Sequence, residues 1–255
     1  MSKIRYGLKL RTDNESSIPE ADKLMEKGIF DYVELFCMPN HNTEDYPSNV
    51  EVIHAPHAIQ GFNIADKSKR DFNLKCMEES LKLADKTKAK YIIVHAGNTN
   101  NGGDEETAKK FLNKINDYRI IIENKPIKLH TDGIVINYGS TGLGYDAKKL
   151  EDICSNKYGI CLDFVHACKS ALTTKSDYKE VVKEFMKLKP KVFHICDSTF
   201  NREEDEHVHL GKGCYDLSFF KECIENNESQ IASLETPREK SLQQDIENLK
   251  YFKSL

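Results

Sequence analysis

Short runs of β-branched and aromatic residues recur along the chain, and nearly every one is followed by a stretch whose apolar positions repeat with helical spacing. The strand-like runs cover residues 4–10, 31–36, 50–54, 90–95, 119–123, 158–163, 191–196 and 230–235. Helix-period segments lie at 18–28, 71–88, 104–117, 146–156, 175–189, 216–228 and 238–254, many opened by Asp or Ser and rich in Lys and Glu on one face. Only the link between the second and third strands lacks a helical pattern. Runs such as Tyr91-Ile92-Ile93-Val94 and Ile120-Ile121-Ile122 suit strands buried on both faces, as in a parallel sheet covered by helices. Eight such units in this length predict a closed (β/α)8 TIM barrel, with residues 1–255 forming one domain. A doubly wound open sheet would carry a glycine-rich first turn, and Gly7-Leu8-Lys9-Leu10-Arg11 is not one. The longest irregular stretch, 126–145 with Gly133, Gly139, Gly142 and Gly144, reads as a functional loop above the barrel.

Composition narrows the class further. Hydrophobic residues at 39% and charged ones at 31% exclude collagen-like, disordered and coiled-coil chains. A net charge of -4 provides no global field to hold a polyanion, so any phosphate must be bound by a local site. The start carries no apolar signal region and no stretch is long and apolar enough to span a membrane, so a cytoplasmic protein without a membrane partner is expected. Eight cysteines without a Cys-x-x-Cys pair read as reduced, mostly buried thiols, Cys161 and Cys196 inside apolar runs. Nothing in the pattern specifies an oligomeric state.

The chemistry is concentrated where the strands end. Six of the eight runs finish in, or just past, a His, Asp or Glu: His54, His95, Glu123, Asp163, His194 and Glu235. In a barrel these ends converge on one pocket, and charged groups at the tail of apolar strands are costly unless paired or metal-bound. His166, three residues after Asp163, and Asp205 with His207 in the acidic loop after the seventh strand add further ligand types. The nine together exceed one four-coordinate ion and fit several ions bridged by a carboxylate. His57 and His209 are placed near enough to touch substrate, whereas His41 and His130 read as loop residues. Gly211-Lys212-Gly213 offers a cation and backbone N–H groups to an anion, or a tight turn opening the next helix. There is no Gly-x-Ser-x-Gly elbow and no P-loop.

In order along the chain, His54-Ala55-Pro56, Val94-His95-Ala96-Gly97, Ile122-Glu123-Asn124, Cys161-Leu162-Asp163-Phe164-Val165-His166, His194-Ile195-Cys196-Asp197-Ser198, Asp205-Glu206-His207 with Leu210-Gly211-Lys212-Gly213, and Leu234-Glu235-Thr236-Pro237 resemble endonuclease IV, the family-2 apurinic/apyrimidinic endonucleases among the xylose isomerase-like barrels. The loop Gly139-Ser140-Thr141-Gly142-Leu143-Gly144 is similar as well. The resemblance implies a zinc-dependent hydrolase with three Zn2+ ions, Mn2+ or Fe2+ being the alternatives, acting on a phosphodiester substrate in DNA with abasic sites. His54 and His95 would hold the first ion, Glu123 would bridge it to a second also bound by Asp163, His194 and Glu235, and His166, Asp205 and His207 would hold the third. Glu123 and Glu235 would be the catalytic carboxylates, and His57, Asn124, His209 and Lys212 substrate contacts.

The resemblance has gaps in the first turns. Leu10-Arg11-Thr12-Asp13-Asn14-Glu15 stands where the family has a His-x-Ser segment and a Gly-Gly pair, Phe36-Cys37-Met38-Pro39-Asn40 where it has a DNA-entering Arg, and His57-Ala58 where it has an aromatic-aliphatic wedge. The alternative on the same barrel is a single-metal sugar isomerase or epimerase, which would need only Glu123, Asp163, His194 and Glu235.

Overall fold

A computed structural model describes residues 3–41, 44–130, 136–238 and 241–255 of the chain; Met1, Ser2 and Gly133 lie outside them. Eight parallel strands close into a barrel in chain order. They are β1 (Arg5–Arg11), β2 (Tyr32–Phe36), β3 (Val50–His54), β4 (Tyr91–His95), β5 (Ile120–Glu123), β6 (Gly159–Asp163), β7 (Val192–Ile195) and β8 (Ile231–Leu234). β1 closes the ring, with Leu8 in register with Val33 on β2 and with Leu234 on β8. Around it run α1 (Ile18–Glu26), α2 (Arg70–Thr87), α3 (Glu105–Ile115), α4 (Ala147–Cys154), α5 (Phe164–Thr174), α6 (Tyr178–Met186), α7 (Leu217–Glu225) and α8 (Gln243–Ser254). The link from β2 to β3 carries no helix among the described residues. Among the described residues no helix is long and apolar enough to cross a membrane.

The strands match the sequence reading to within a residue at either end, but one helix is not legible in the sequence. α5 follows Asp163 directly, and every residue from Phe164 to Ala171 is buried. A helix sandwiched on all sides shows no polar stripe, so its period is invisible to a pattern of alternating faces. The segment read as one helix over 175–189 is the shorter α6, and the last helix begins at Gln243 rather than 238.

Strand alternation puts two layers inside the barrel. Tyr32, Val52, Ile93, Ile121, Cys161 and Val192 form a separate apolar cluster. Two residues further along the same strands, and therefore on the same inward face, stand Glu34, His54, His95, Glu123, Asp163 and His194. The outward positions between them, such as Ile53, Val94, Ile122, Leu162 and Phe193, pack beneath the helices in the main core. Gly7 leaves room for Tyr32, since a Cβ there would lie 2.4 Å from the ring. The Tyr32 hydroxyl meets Ser233 Oγ at 2.9 Å and satisfies the floor's polar atoms. Described cysteines are all free, six of them buried, with Cys214 exposed.

α7 and α5 are held to the barrel by a fully buried stack in which Phe164 lies 5.6 Å from Phe193 and 4.4 Å from Phe220, ring centroid to centroid. Because Phe164 adjoins Asp163, this stack also fixes where the α5 N-terminus points. Phe220→Ala is expected to cost about 3–5 kcal/mol in unfolding free energy, read as a lowered urea midpoint at unchanged slope.

Candidate metal centre

The nine sequence-predicted side chains converge. His54 Nε2 lies 3.1 Å and His95 Nε2 3.3 Å from Glu123 Oε2. His194 Nδ1 lies 3.5 Å from the same oxygen, 3.1 Å from Glu235 Oε2 and 4.0 Å from Asp163 Oδ2. Asp205 bridges two histidines, 3.0 Å from His166 Nε2 through one oxygen and 3.0 Å from His207 Nε2 through the other. Ligand-type atoms thus cluster within 4.8 Å of one another as His54, His95 and Glu123; as Glu123, Asp163, His194 and Glu235; and as Asp163, His166 and His207.

Local structure aims these atoms. Asp163 caps α5, its Oδ1 accepting from His166 N at 2.7 Å, which leaves Oδ2 turned inward. His54 Nδ1 bonds Ala55 O at 2.6 Å, His166 Nδ1 bonds Asn124 O at 2.8 Å and His207 Nδ1 bonds Glu235 O at 2.8 Å. In each ring the second nitrogen is thereby left to face the carboxylates, the arrangement that metal-binding histidines use. Glu123 Oε1, Asp163 Oδ2, His194 Nδ1, Asp205 Oδ1, His207 Nε2 and Glu235 Oε2 are buried without a hydrogen-bond partner among the described residues. Unsatisfied buried acceptors gathered in one place are costly, and divalent cations would satisfy them. The donor set of imidazoles and carboxylates suits zinc, manganese or iron.

A cavity of about 380 Å3 opens on the cluster, lined by His95, Glu123, His166, Asp205, His207 and Glu235 together with His57, Lys125 and His130. His57 stacks on His95 at 5.3 Å. The other expected substrate contacts are placed elsewhere. Asn124 is fully buried and binds the backbone of Asp163 twice, at 3.0 and 2.8 Å, so its amide is a tie between β5 and β6. His209 faces Asn248 at 3.2 Å, and Lys212 is exposed on the following turn. The N–H groups of Gly211 and Gly213 are turned to Asp197 Oδ2 at 3.0 and 2.9 Å, so this loop binds a carboxylate of the chain itself rather than a substrate anion.

Four functional neighbours lie outside the sequence reading. Glu34, fully buried, accepts from His194 Nε2 at 3.1 Å. Lys9 pairs with Glu34 at 3.1 Å and with Glu235. Lys125 Nζ reaches His166 Nε2 at 3.2 Å. Lys169, with no exposed surface, donates to Thr199 O and Arg202 O at 2.8 Å and holds the loop that carries Asp205 and His207. Glu34 and Lys9 have a signal, a single charge inside an apolar run, but neither ends its strand.

A closed parallel barrel with a cluster of imidazoles and carboxylates at the strand ends defines the class. The chain belongs to the xylose isomerase-like TIM barrel family, whose sequence pattern matches residues 23–253. It is 26% identical over 227 residues to "Probable endonuclease 4" of Sulfurihydrogenibium sp. (strain YO3AOP1), covering 83% of this chain and 79% of that one. Its fold is similar to endonuclease IV from Thermus thermophilus, with a TM-score of 0.71 at 18% identity over 98% of both chains. It is also similar to a D-tagatose 3-epimerase-like protein, with a TM-score of 0.68 at 17% identity over 98% of this chain and 96% of the other.

Electrostatics of the layer follow from burial and neighbours. Burial pushes Glu123 up, but the neighbouring imidazoles of His95, His194 and His166 and the hydrogen bond with His54 hold its carboxyl well below the usual range. Burial pushes His95 down to about 3. Burial likewise holds His57 well below its ordinary value, helped by the neighbouring His95 and His54. At mildly acid pH the unfolded chain takes a proton on His57 that the folded protein refuses, so this group makes stability fall as pH drops below about 6.5. The stability difference between the metal-free protein and its His57→Gln variant should therefore shift toward the variant between pH 7 and pH 5 in urea titrations.

Proposed function

We propose that the chain is a metal-dependent phosphodiester hydrolase of the endonuclease IV type, with DNA carrying abasic sites as its substrate. The observation that carries this reading is the company around Glu123, Asp163, His194 and Glu235. A single-ion isomerase or epimerase needs those four alone, yet His54 and His95 lie against Glu123 while His166, Asp205 and His207 extend the cluster on the side of Asp163. In the proposed site His54, His95 and Glu123 hold one ion, Glu123, Asp163, His194 and Glu235 a second, and His166, Asp205 and His207 a third. Such ions, when bound, acidify water and neutralise a phosphodiester.

The chain's own residues do the rest. Glu235 lies at the cavity edge with its side chain 20% exposed, where it orients the attacking water and takes its proton. Glu123, with no exposed surface, belongs both to the group with His54 and His95 and to the group with Asp163, His194 and Glu235, and would be a ligand common to the ions held there. Lys125 presents its ammonium to the same cavity and pairs with a phosphate oxygen. Ile59, 58% exposed on the cavity rim, is an apolar side chain of the kind that fills a gap in an opened duplex, although the sequence lacks the family's wedge at His57-Ala58.

Elemental analysis of protein purified without chelator is expected to find close to three divalent ions per chain; a stoichiometry of one would favour the epimerase. Glu235→Gln should fold normally and lose about 10²- to 10⁴-fold of hydrolytic rate on bis(p-nitrophenyl) phosphate. The ion-loaded protein should nick a duplex containing one abasic site and lose that activity on chelation. Cleavage of the simple diester without nicking would retain the chemistry and remove DNA as the substrate.

A further inference from the structure

We propose that Glu34 is a positioning residue for the second ion: it fixes the tautomer and ring angle of His194, with Lys9 as the counter-cation that keeps its carboxylate in place. This rests on the cation-binding part of the proposed function and is independent of the substrate.

Three of the cluster's histidines are anchored through a neutral backbone carbonyl, namely those of Ala55, Asn124 and Glu235. His194 differs, since its Nε2 meets Glu34 Oε2 at 3.1 Å with both side chains fully buried. An ionised carboxylate only accepts, so Nε2 carries a hydrogen toward Glu34, and Nδ1 faces Glu235, Glu123 and Asp163, where a bound cation would take the place of its proton. Facing three carboxylates, Nδ1 needs positive charge beside it, from its own proton or from a cation bound between them. With a cation there, the Glu34 carboxylate makes His194 a stronger ligand than a carbonyl anchor would.

Lys9 completes the device. It is the register partner of Glu34 on the adjacent strand, its side chain is 14% exposed, and one ammonium touches both Glu34 and Glu235. Without it, Glu34 would be a second uncompensated carboxylate beside the cluster. The same ammonium orients Glu235, so two ligands of one ion are set by a single pair of side chains from β1 and β2.

The tautomer can be read in the unmodified protein. In 15N-histidine-labelled protein loaded with Zn2+, long-range 1H–15N spectra should show His194 protonated at Nε2 and metal-shifted at Nδ1; the opposite assignment overturns the proposal. Titration with Co2+, followed by visible absorption, should show the second site of Glu34→Gln weakened about 10- to 100-fold, with the other sites within about twofold of wild type. Equal affinity at all sites in the variant overturns the role of Glu34 alone. A wild-type chain that takes up no ion at all overturns the cation reading on which it rests.

Discussion

A carboxylate shut away from water must be surrounded by donors or cations, and in this barrel that demand is centred on Glu123. It stands at the end of β5 with no exposed surface, and imidazole nitrogens of His54, His95, His166 and His194 lie 3.1, 3.3, 3.2 and 3.5 Å from its oxygens. The floor beneath is apolar, with Ile121 two residues earlier on the same face. Nothing below can solvate the charge, so compensation comes from the ring of strand ends and from His166 on the first turn of α5. This is why imidazoles surround Glu123 rather than the aliphatic residues that fill the layer below, while the neighbouring acids Asp163 and Glu235 add to the demand for positive charge.

Residues beyond the strand ends need separate support, and the structure supplies it from buried polar side chains. Asn124 ties β5 to Asp163, whose cap in turn directs α5 and places His166 one turn along. Lys169 projects from α5 beneath the loop after β7 and takes the carbonyls of Thr199 and Arg202. Asp197 gathers Gly211 and Gly213, closing the far side of the same loop; a Cβ on Gly213 would lie 2.1 Å from Asp197 Oδ1. Asp205 and His207 are therefore carried by an irregular segment pinned at both ends, which gives loop residues the precision of strand residues.

The barrel is legible because each strand is a short apolar run and all but the second are followed by a helix signal, and the site is legible because six runs end in a ligand type. The physical rule is more general than the one read from the sequence. Every inward position two residues above the apolar floor is polar, and on β2 that position is Glu34, inside the run rather than at its end. Since β2 runs two residues past Glu34, to Phe36, a search of strand termini passes over it. α5 escapes for the opposite reason, since complete burial erases its period. The expectation for Asn124, His209 and Lys212 rests on proximity along the chain, yet adjacency to a ligand says little about direction. Asn124 is next to Glu123, and successive residues at a strand end point to opposite faces.

Charge distribution constrains how the proposed substrate could be held. The chain carries -4 overall, and Glu203, Glu204 and Glu206 flank Asp205 in the loop that brings it to the cavity. At physiological ionic strength such fields are screened beyond about 8 Å, so a polyanion gains little until a phosphate is close. Under the proposed function, attraction would then come from bound ions and from Lys125 beside His166. A regular duplex keeps its phosphates on a wide convex surface, whereas the clustered carboxylates and imidazoles here line a cavity together with Lys125. Under the proposed function, selectivity would thus rest on whether a phosphate can leave that surface and enter the cavity.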